Sequence, residues 1–167
     1  MRSYLISIPI LGILVILQTA IVSRILLFEG KADLVLLALL SWALQERTRG
    51  VWFWVLLGGV GVGLESALPF GVLLMGYLAA IGIALLLRRR VWKVPFLAML
   101  ASVFLGTLLV LLFSYIAISL QGIVLPALEV FNLIVLPSVL LNLLLAVPIY
   151  IVIRDIARWL YPEELKV

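Results

Sequence analysis

The chain has 167 residues, 66% of them hydrophobic and 12% charged, with a formal net charge of +4 and neither Cys nor His. Soluble domains carry about 25% charged residues, so a solvated globule is excluded and an integral membrane protein is implied. Without Cys and His the chain has no thiolate nucleophile, disulfide, imidazole acid–base group or usual zinc ligand set. Its basic residues stand in short runs beside apolar stretches, as orientation signals do, and not in a nucleic-acid-binding pattern.

The length accommodates six spans of ~20 residues with short loops and leaves no room for a soluble domain of ~50 residues or more. The sequence therefore reads as all-α and polytopic, one integral membrane domain over 1–167. Its six transmembrane helices are expected at about 4–28, 33–46, 51–68, 71–87, 95–119 and 132–153. The first apolar stretch exceeds the roughly 7 to 15 residues of a signal-peptide core and reads as a retained span. Gln18, Thr19 and Ser23 give it a polar spot suited to packing, and Arg24 is near enough to the interface to snorkel.

Asp33 follows the turn Glu29-Gly30-Lys31-Ala32 and is placed as the N-cap of helix two, where a carboxylate accepts backbone N–H bonds and favours the positive helix end. That helix covers only ~20 Å at ~1.5 Å per residue, so it must thin the bilayer or be sheltered by neighbours. Helix three opens on Val51-Trp52-Phe53-Trp54 and carries four glycines before the lone carboxylate Glu65. Gly58, Gly61 and Glu65 fall at i, i+3 and i+7, a face that suits another helix. Glu65 lies ~21 Å along the axis, inside or at the edge of a ~30 Å hydrocarbon layer, so it is expected to be buried and paired with Arg24, Asn142 or a backbone group.

Pro69 is expected to end helix three, and Phe70-Gly71 to return the chain. Helix four, with Gly76, Ala79, Ala80 and Gly82, then packs on helix three as a hairpin that closes on the basic run Arg88-Arg89-Arg90-Val91-Trp92-Lys93. Helix five has Pro95 in its first turn and a small-residue seam at Ala98, Ser102 and Gly106. Residues 121–131 read as a loop, yet they are rich in Ile, Val and Leu with Glu129 the single charge, so this loop lies on the membrane or under a partner. Helix six contains Pro137, Asn142 and Pro148; a kink is expected, with Asn142 turned inward to satisfy its amide. Residues 154–162 form an amphipathic, interfacial tail.

With both termini inside, the inner face holds Arg2, Arg47, Arg49, Arg88, Arg89, Arg90, Lys93, Arg154, Arg158 and Lys166, and the outer face only Arg24 and Lys31. The tryptophans at 42, 52, 54, 92 and 159 are all expected near the inner interface, where an indole N–H stays wet.

Three features carry a family resemblance. They are Ala32-Asp33-Leu34-Val35-Leu36-Leu37, the stretch 61–71, and Leu136-Pro137-Ser138-Val139-Leu140-Leu141-Asn142-Leu143-Leu144-Leu145-Ala146-Val147-Pro148-Ile149-Tyr150. In their order and spacing, over nearly the whole chain, they resemble the rod shape-determining protein MreD family. The family's Gly-x-x-x-Asp, turn, Gly pattern maps onto Gly61, Glu65, Pro69 and Gly71, with glutamate here in place of aspartate and one methylene more of reach.

The resemblance implies a non-enzymatic, cofactor-free scaffold in the bacterial inner (cytoplasmic) membrane, part of the elongation machinery for peptidoglycan synthesis. Its implied partner is the membrane-anchored protein MreC, with MreB, RodA and a class B penicillin-binding protein reached through that complex. It also implies a bundle like that of the S-components of energy-coupling-factor vitamin transporters. The alternative function is such a substrate-binding subunit. An S-component is expected to show Ala-x-x-x-Ala on helix one, whereas here Gly12 and Ala20 flank a bulky Ile16. A third reading, an intramembrane enzyme or proton carrier, needs a second carboxylate near Glu65, and only Asp33 or Glu129 could supply it.

The partner surface is expected on the outer side, over 122–131 with Leu125, Leu128 and Phe131, together with the turn 66–71. The orientation has a direct test, because the chain has no native Cys. A cysteine introduced at Gln121 is expected to react with an impermeant maleimide from outside the cell, and one at Val91 only after permeabilisation.

Overall fold

The computed structural model describes residues 2–20, 24, 27–46, 48, 50–69, 71–90 and 95–161, with the backbone alone for 2–5, 90 and 95. Its helices are α1 (Arg2–Ala20), α2 (Leu34–Leu44), α3 (Val51–Glu65), α4 (Val72–Arg90), α5 (Pro95–Leu120) and α6 (Ala127–Leu160). The last begins with the short turn Ala127–Val130, passes through a π-helical segment Phe131–Val135 and continues as the α-helix Leu136–Leu160. Among the described residues there is no strand, only an isolated bridge between Leu27 and Gly30. Parts of α4, α5 and α6 (Val72–Arg89, Phe96–Leu120 and Ala127–Leu160) are long and apolar enough to cross a membrane, and the other helices are apolar but shorter. The chain is a helical membrane protein.

The bundle is built around α2. Its sequence, LVLLALLSWAL, is apolar on every side except at Ser41, and a helix of that kind has to be enclosed. All eleven of its residues are buried. It packs against every other helix, and α1, α3, α4, α5 and α6 follow one another around it. At ~1.5 Å per residue it is ~16 Å long, about half of a ~30 Å hydrocarbon layer, and it is accommodated by shelter. The outer surface of the ring is apolar as well, with Ile13, Ile16, Leu56, Met75, Leu86, Leu112, Ile116, Leu140, Leu144 and Val152 all exposed. Because lipid tails solvate such side chains, close packing and internal hydrogen bonds have to hold the helices together.

Close packing comes from the small-residue seams. A Cβ on Gly58 would stand 3.1 Å from Val35 and 3.2 Å from Leu39 of α2, and one on Gly61 would stand 3.3 Å from Val15 of α1. Gly59 faces α4 at Leu74, which makes α3 and α4 the expected hairpin, and Gly76 meets the backbone of α5 at Val110, 3.1 Å away. Ala98, Ser102 and Gly106 are buried in a row, with Gly106 against Leu40 and Ala80.

Several boundaries differ from the sequence reading. Helix α3 stops at Glu65, short of Pro69, since Ser66 is extended at ψ 142° and its hydroxyl accepts from the N–H of Leu68. Helix α6 starts at Ala127, inside the expected loop, and runs on to Leu160, with Ala157 and Leu160 of the expected interfacial tail buried. Trp42 and Trp54 are fully buried and stacked at 4.0 Å with an interplanar angle of 13°. Their indole N–H groups have no hydrogen-bond partner among the described residues, so aromatic contact and not a wet N–H places them. Trp52 and Trp159 are exposed. Arg47, Arg49, Phe70, Val91, Trp92, Lys93 and Lys166 lie outside the described residues.

Before α2, residues 29–33 run along α6. The N–H of Glu29 donates to the carbonyl of Leu133 at 3.0 Å, that of Lys31 to Ser138 Oγ at 3.1 Å, and that of Asp33 to Asn142 Oδ1 at 2.8 Å. Two extended residues advance ~6.6 Å and four helical residues ~6 Å, so alternate N–H groups of the segment meet successive turns of the helix. Pro137 contributes by omission. With no N–H of its own, it leaves the Leu133 carbonyl without the usual donor four residues on, and Glu29 supplies one.

The intervening Gly30 sits on the helix itself. An added Cβ would lie 2.7 Å from Pro137 Cβ, 2.7 Å from Ser138 N and 2.9 Å from Ile134 O. Gly30→Ala is therefore expected to lower stability by about 1–3 kcal/mol, the usual range for overpacking, as read by thermal unfolding in detergent. Gly12→Ala, with nothing within 4 Å of its Cβ, is expected to be neutral or slightly stabilising.

Candidate functional site

A buried helix leaves its first N–H and last C=O groups to be satisfied by the protein. At the N-terminus of α2, Asp33 Oδ1 accepts from the N–H of Leu36 at 2.9 Å and the Asp33 carbonyl from that of Leu37 at 3.0 Å. Gln18 of α1 accepts from the N–H of Val35 at 3.1 Å through Oε1. The second oxygen of the carboxylate, Oδ2, accepts from the Tyr77 hydroxyl of α4 at 2.6 Å. The amide of Asn142 on α6 binds at both ends, its Oδ1 taking the Asp33 N–H and its Nδ2 donating to Thr107 Oγ1 of α5 at 2.9 Å. Tyr77, Thr107, Ser138 and Asn142 are all buried. One polar junction thus ties α1, α2, α4, α5 and α6 together in the interior.

The C-terminus is closed in the same manner. Arg88 of α4 donates through Nη1 to the carbonyls of Ala43 and Gln45, both at 2.9 Å. Thr48 donates to the carbonyl of Trp42 at 2.9 Å, and the Gln45 side chain to that of Ser41 at 3.3 Å. A carboxylate at the N-terminus and a guanidinium at the C-terminus both oppose the helix dipole in the favourable sense. Arg88 therefore has a structural role, which the expectation of an orientation signal did not include.

The sequence-derived positions divide into two groups. Asp33 caps α2 and Asn142 turns inward, as expected from their residue types. Gly58 and Gly61 pack on α1 and α2. Glu65 corrects the expectation made for it: it is exposed at the last turn of α3, and its side chain has no hydrogen-bond or ion-pair partner among the described residues. Arg24 is likewise exposed, and Asn142 belongs to the junction, so neither meets Glu65. Pro69 is exposed, while Gly71 holds φ 95°, a left-handed conformation that glycine adopts without strain as it opens α4. Leu128 is 73% exposed and Phe131 is exposed too, but Leu125 is half-buried, its carbonyl accepting from Tyr115 at 3.3 Å.

Sequence reasoning missed Tyr77, Thr107, Ser138 and Gly30. Tyr77, Thr107 and Ser138 are single polar residues in apolar stretches and Gly30 lies in a polar turn, and only the partner across the bundle distinguishes each. The side-chain oxygens of Asp33 and both side-chain polar atoms of Asn142 are engaged in bonds that hold helices together. Among the described residues, no three His, Cys, Asp or Glu side chains come together as metal ligands. Comparison with protein-family models, with curated proteins and with solved structures found no match.

If the junction holds the bundle, removing its centre must matter more than removing the exposed carboxylate. Asn142→Ala is expected to cost about 1–3 kcal/mol by leaving the buried Asp33 N–H and Thr107 hydroxyl unpaired, as read by denaturant titration in mixed micelles. In the same titration Glu65→Gln is expected to stay within about 0.5 kcal/mol of the parent.

Proposed function

We propose that the chain is a non-enzymatic scaffold subunit of the bacterial cell-elongation machinery. In this reading it is a six-span bundle of the cytoplasmic membrane with both termini inside. Its outer end receives an MreC-like membrane-anchored partner, through which it joins MreB, RodA and a class B penicillin-binding protein.

The observation that carries the reading is the apolar end of the bundle between α5 and α6. Leu120 is 83% exposed, Val124 92% and Leu128 73%, and Ile123 and Phe131 are exposed beside them. A connection between helices is normally polar, and apolar area left in water costs ~25 cal/mol per Å². A partner that covers these residues removes that cost. The closed polar junction supports the same reading, because its groups are engaged in holding helices together.

The test is co-purification of the co-expressed MreC-like protein from native membranes. Val124→Glu together with Leu128→Glu is expected to reduce its recovery at least tenfold while the variant remains inserted and folded, since both side chains already project outward. Recovery at the parent level would place the partner elsewhere. Tight vitamin binding by the purified chain, or capture of a transporter ATPase module, would favour the S-component alternative.

A further inference from the structure

The polar junction sets a common level for four helices. Asp33 at the start of α2 bonds to Tyr77 of α4 and to Asn142 of α6, and Asn142 bonds to Thr107 of α5. Residues 29–33 meet α6 in chain order and Arg88 reaches the carbonyls of Ala43 and Gln45, so α2, α4 and α6 leave the junction in the same direction. Helix α5 runs the opposite way, with Gly106 against Ala80 and Val110 against Gly76. At ~1.5 Å per residue, Gln45, Arg88, Arg154 and the first turn of α5 therefore all lie ~16–18 Å from the junction, at one end of the bundle.

That end is a basic rim. Arg88 and Arg89 stand on α4 with Arg90 after them, and Arg154 and Arg158 stand on α6. Among the described residues the carboxylates at this level are Glu46, which is exposed, and Asp155, which pairs with Arg154 at 3.1 Å. No carboxylate pairs with Arg88, Arg89 or Arg158 among those residues. Arg89 and Arg158 are exposed, and Arg88, whose Nη1 is held by two carbonyls, has no bond from Nε or Nη2 among the described residues. Helix α5 packs against both α4 and α6, so its first turn opens between the two arginine groups and adds the positive end of its dipole.

Positive charge alone would suit a soluble anion, an acidic peptide or a lipid headgroup. The apolar surroundings separate these. Phe96 and Leu97, 53% and 56% exposed, face outward from the first turn of α5, and Ile151 and Val152 are exposed just before the arginines of α6. Trp159 is 76% exposed next to Arg158, and an indole of that kind suits a boundary between hydrocarbon and polar headgroups. A ligand that matches guanidinium groups set directly against outward apolar side chains has an anionic head and an apolar tail. Inorganic phosphate or an acidic peptide would meet the charges and leave the apolar residues unmatched.

We infer that this rim binds anionic phospholipid, with headgroup phosphates on Arg88, Arg89 and Arg158 and acyl chains along the face that begins at Phe96 and Leu97. Guanidinium forks suit phosphate oxygens, and carbonyl contacts fix one of these forks in advance. The excess of arginine favours a headgroup with net negative charge over a zwitterionic one, whose ammonium finds few carboxylates here. This binding goes beyond the scaffold reading and does not depend on it.

The test is native mass spectrometry of the full chain released from nanodiscs of phosphatidylcholine mixed with phosphatidylglycerol. The parent is expected to retain phosphatidylglycerol several-fold over its share of the mixture, and its thermal midpoint is expected to be higher in the mixture than in phosphatidylcholine alone. Arg89→Gln with Arg158→Gln is expected to lose both effects while keeping the parent's midpoint in phosphatidylcholine, since both side chains are exposed. Arg89→Lys with Arg158→Lys is expected to keep part of the preference. Arg24→Gln, which removes an exposed charge outside this rim, is expected to change neither effect. Equal loss with Arg24→Gln overturns the proposal, because net charge and not the rim then attracts the lipid. Parent-like retention in the doubly glutamine-substituted chain overturns it too, as does an equal rise in midpoint with inorganic phosphate in detergent. Absence of any preference, with loss of a co-purifying protein in that same variant, assigns the arginines to a protein partner instead.

Discussion

A helix of eleven residues enclosed on all sides must have its end groups satisfied by other parts of the protein, because neither water nor lipid reaches them. This requirement accounts for most of the polar residues in the interior. At one end Gln18, Asp33, Tyr77, Thr107 and Asn142 form a continuous set of bonds, and at the other Gln45, Thr48 and Arg88 take the carbonyls. The donors and acceptors come from α1, α4, α5 and α6 as well as from α2 itself, so the ring of helices is held by what its centre lacks. Loss of one member leaves another buried group unpaired, which couples the positions energetically across five helices.

The same requirement explains how non-helical chain can lie inside the bundle. Exposed backbone is not tolerated at membrane depth, and extended chain is allowed there only against protein. Residues 29–33 meet that condition by running along α6, with one N–H in two directed at it and Gly30 in direct contact. Pro137 and the π-helical segment before it are part of this fit, since a regular helix would keep the Leu133 carbonyl for itself. Features that look like defects of α6 taken alone are the sites at which the α1–α2 connection attaches.

How far the sequence disclosed this depends on whether a residue's need can be met locally. Asp33 was legible as a cap because an Asp followed by an apolar run has its backbone partners three and four residues away. Asn142 was legible as inward-facing because an amide within leucines must find a bond in the bundle. The seams at Gly58, Gly61, Gly76 and Gly106 followed from spacing alone. Glu65 was misread because burial was inferred from its depth along the helix, whereas the helix ends at Glu65 and the carboxylate emerges exposed at its terminus. Tyr77, Thr107, Ser138 and Gly30 were illegible because their partners are 44, 35, 107 and about 107 residues distant in the chain. The Trp42–Trp54 stack was hidden by a rule about interfaces that packing overrode.

With both termini of α2 fixed by charge and hydrogen bonds, the loops at its two ends are presented from one element and not from independently mobile helices. Asp33 leads directly back into the segment that lies on α6, and Arg88 leads directly into the basic run at the other end. Displacing α2 along its axis would break bonds at both ends together, so thermal motion is opposed more strongly there than at the lipid-facing rim of the ring. The bundle turns these polar groups inward, fixes its central helix at both ends and leaves the apolar α5–α6 connection exposed, a combination that agrees with the scaffold proposed above.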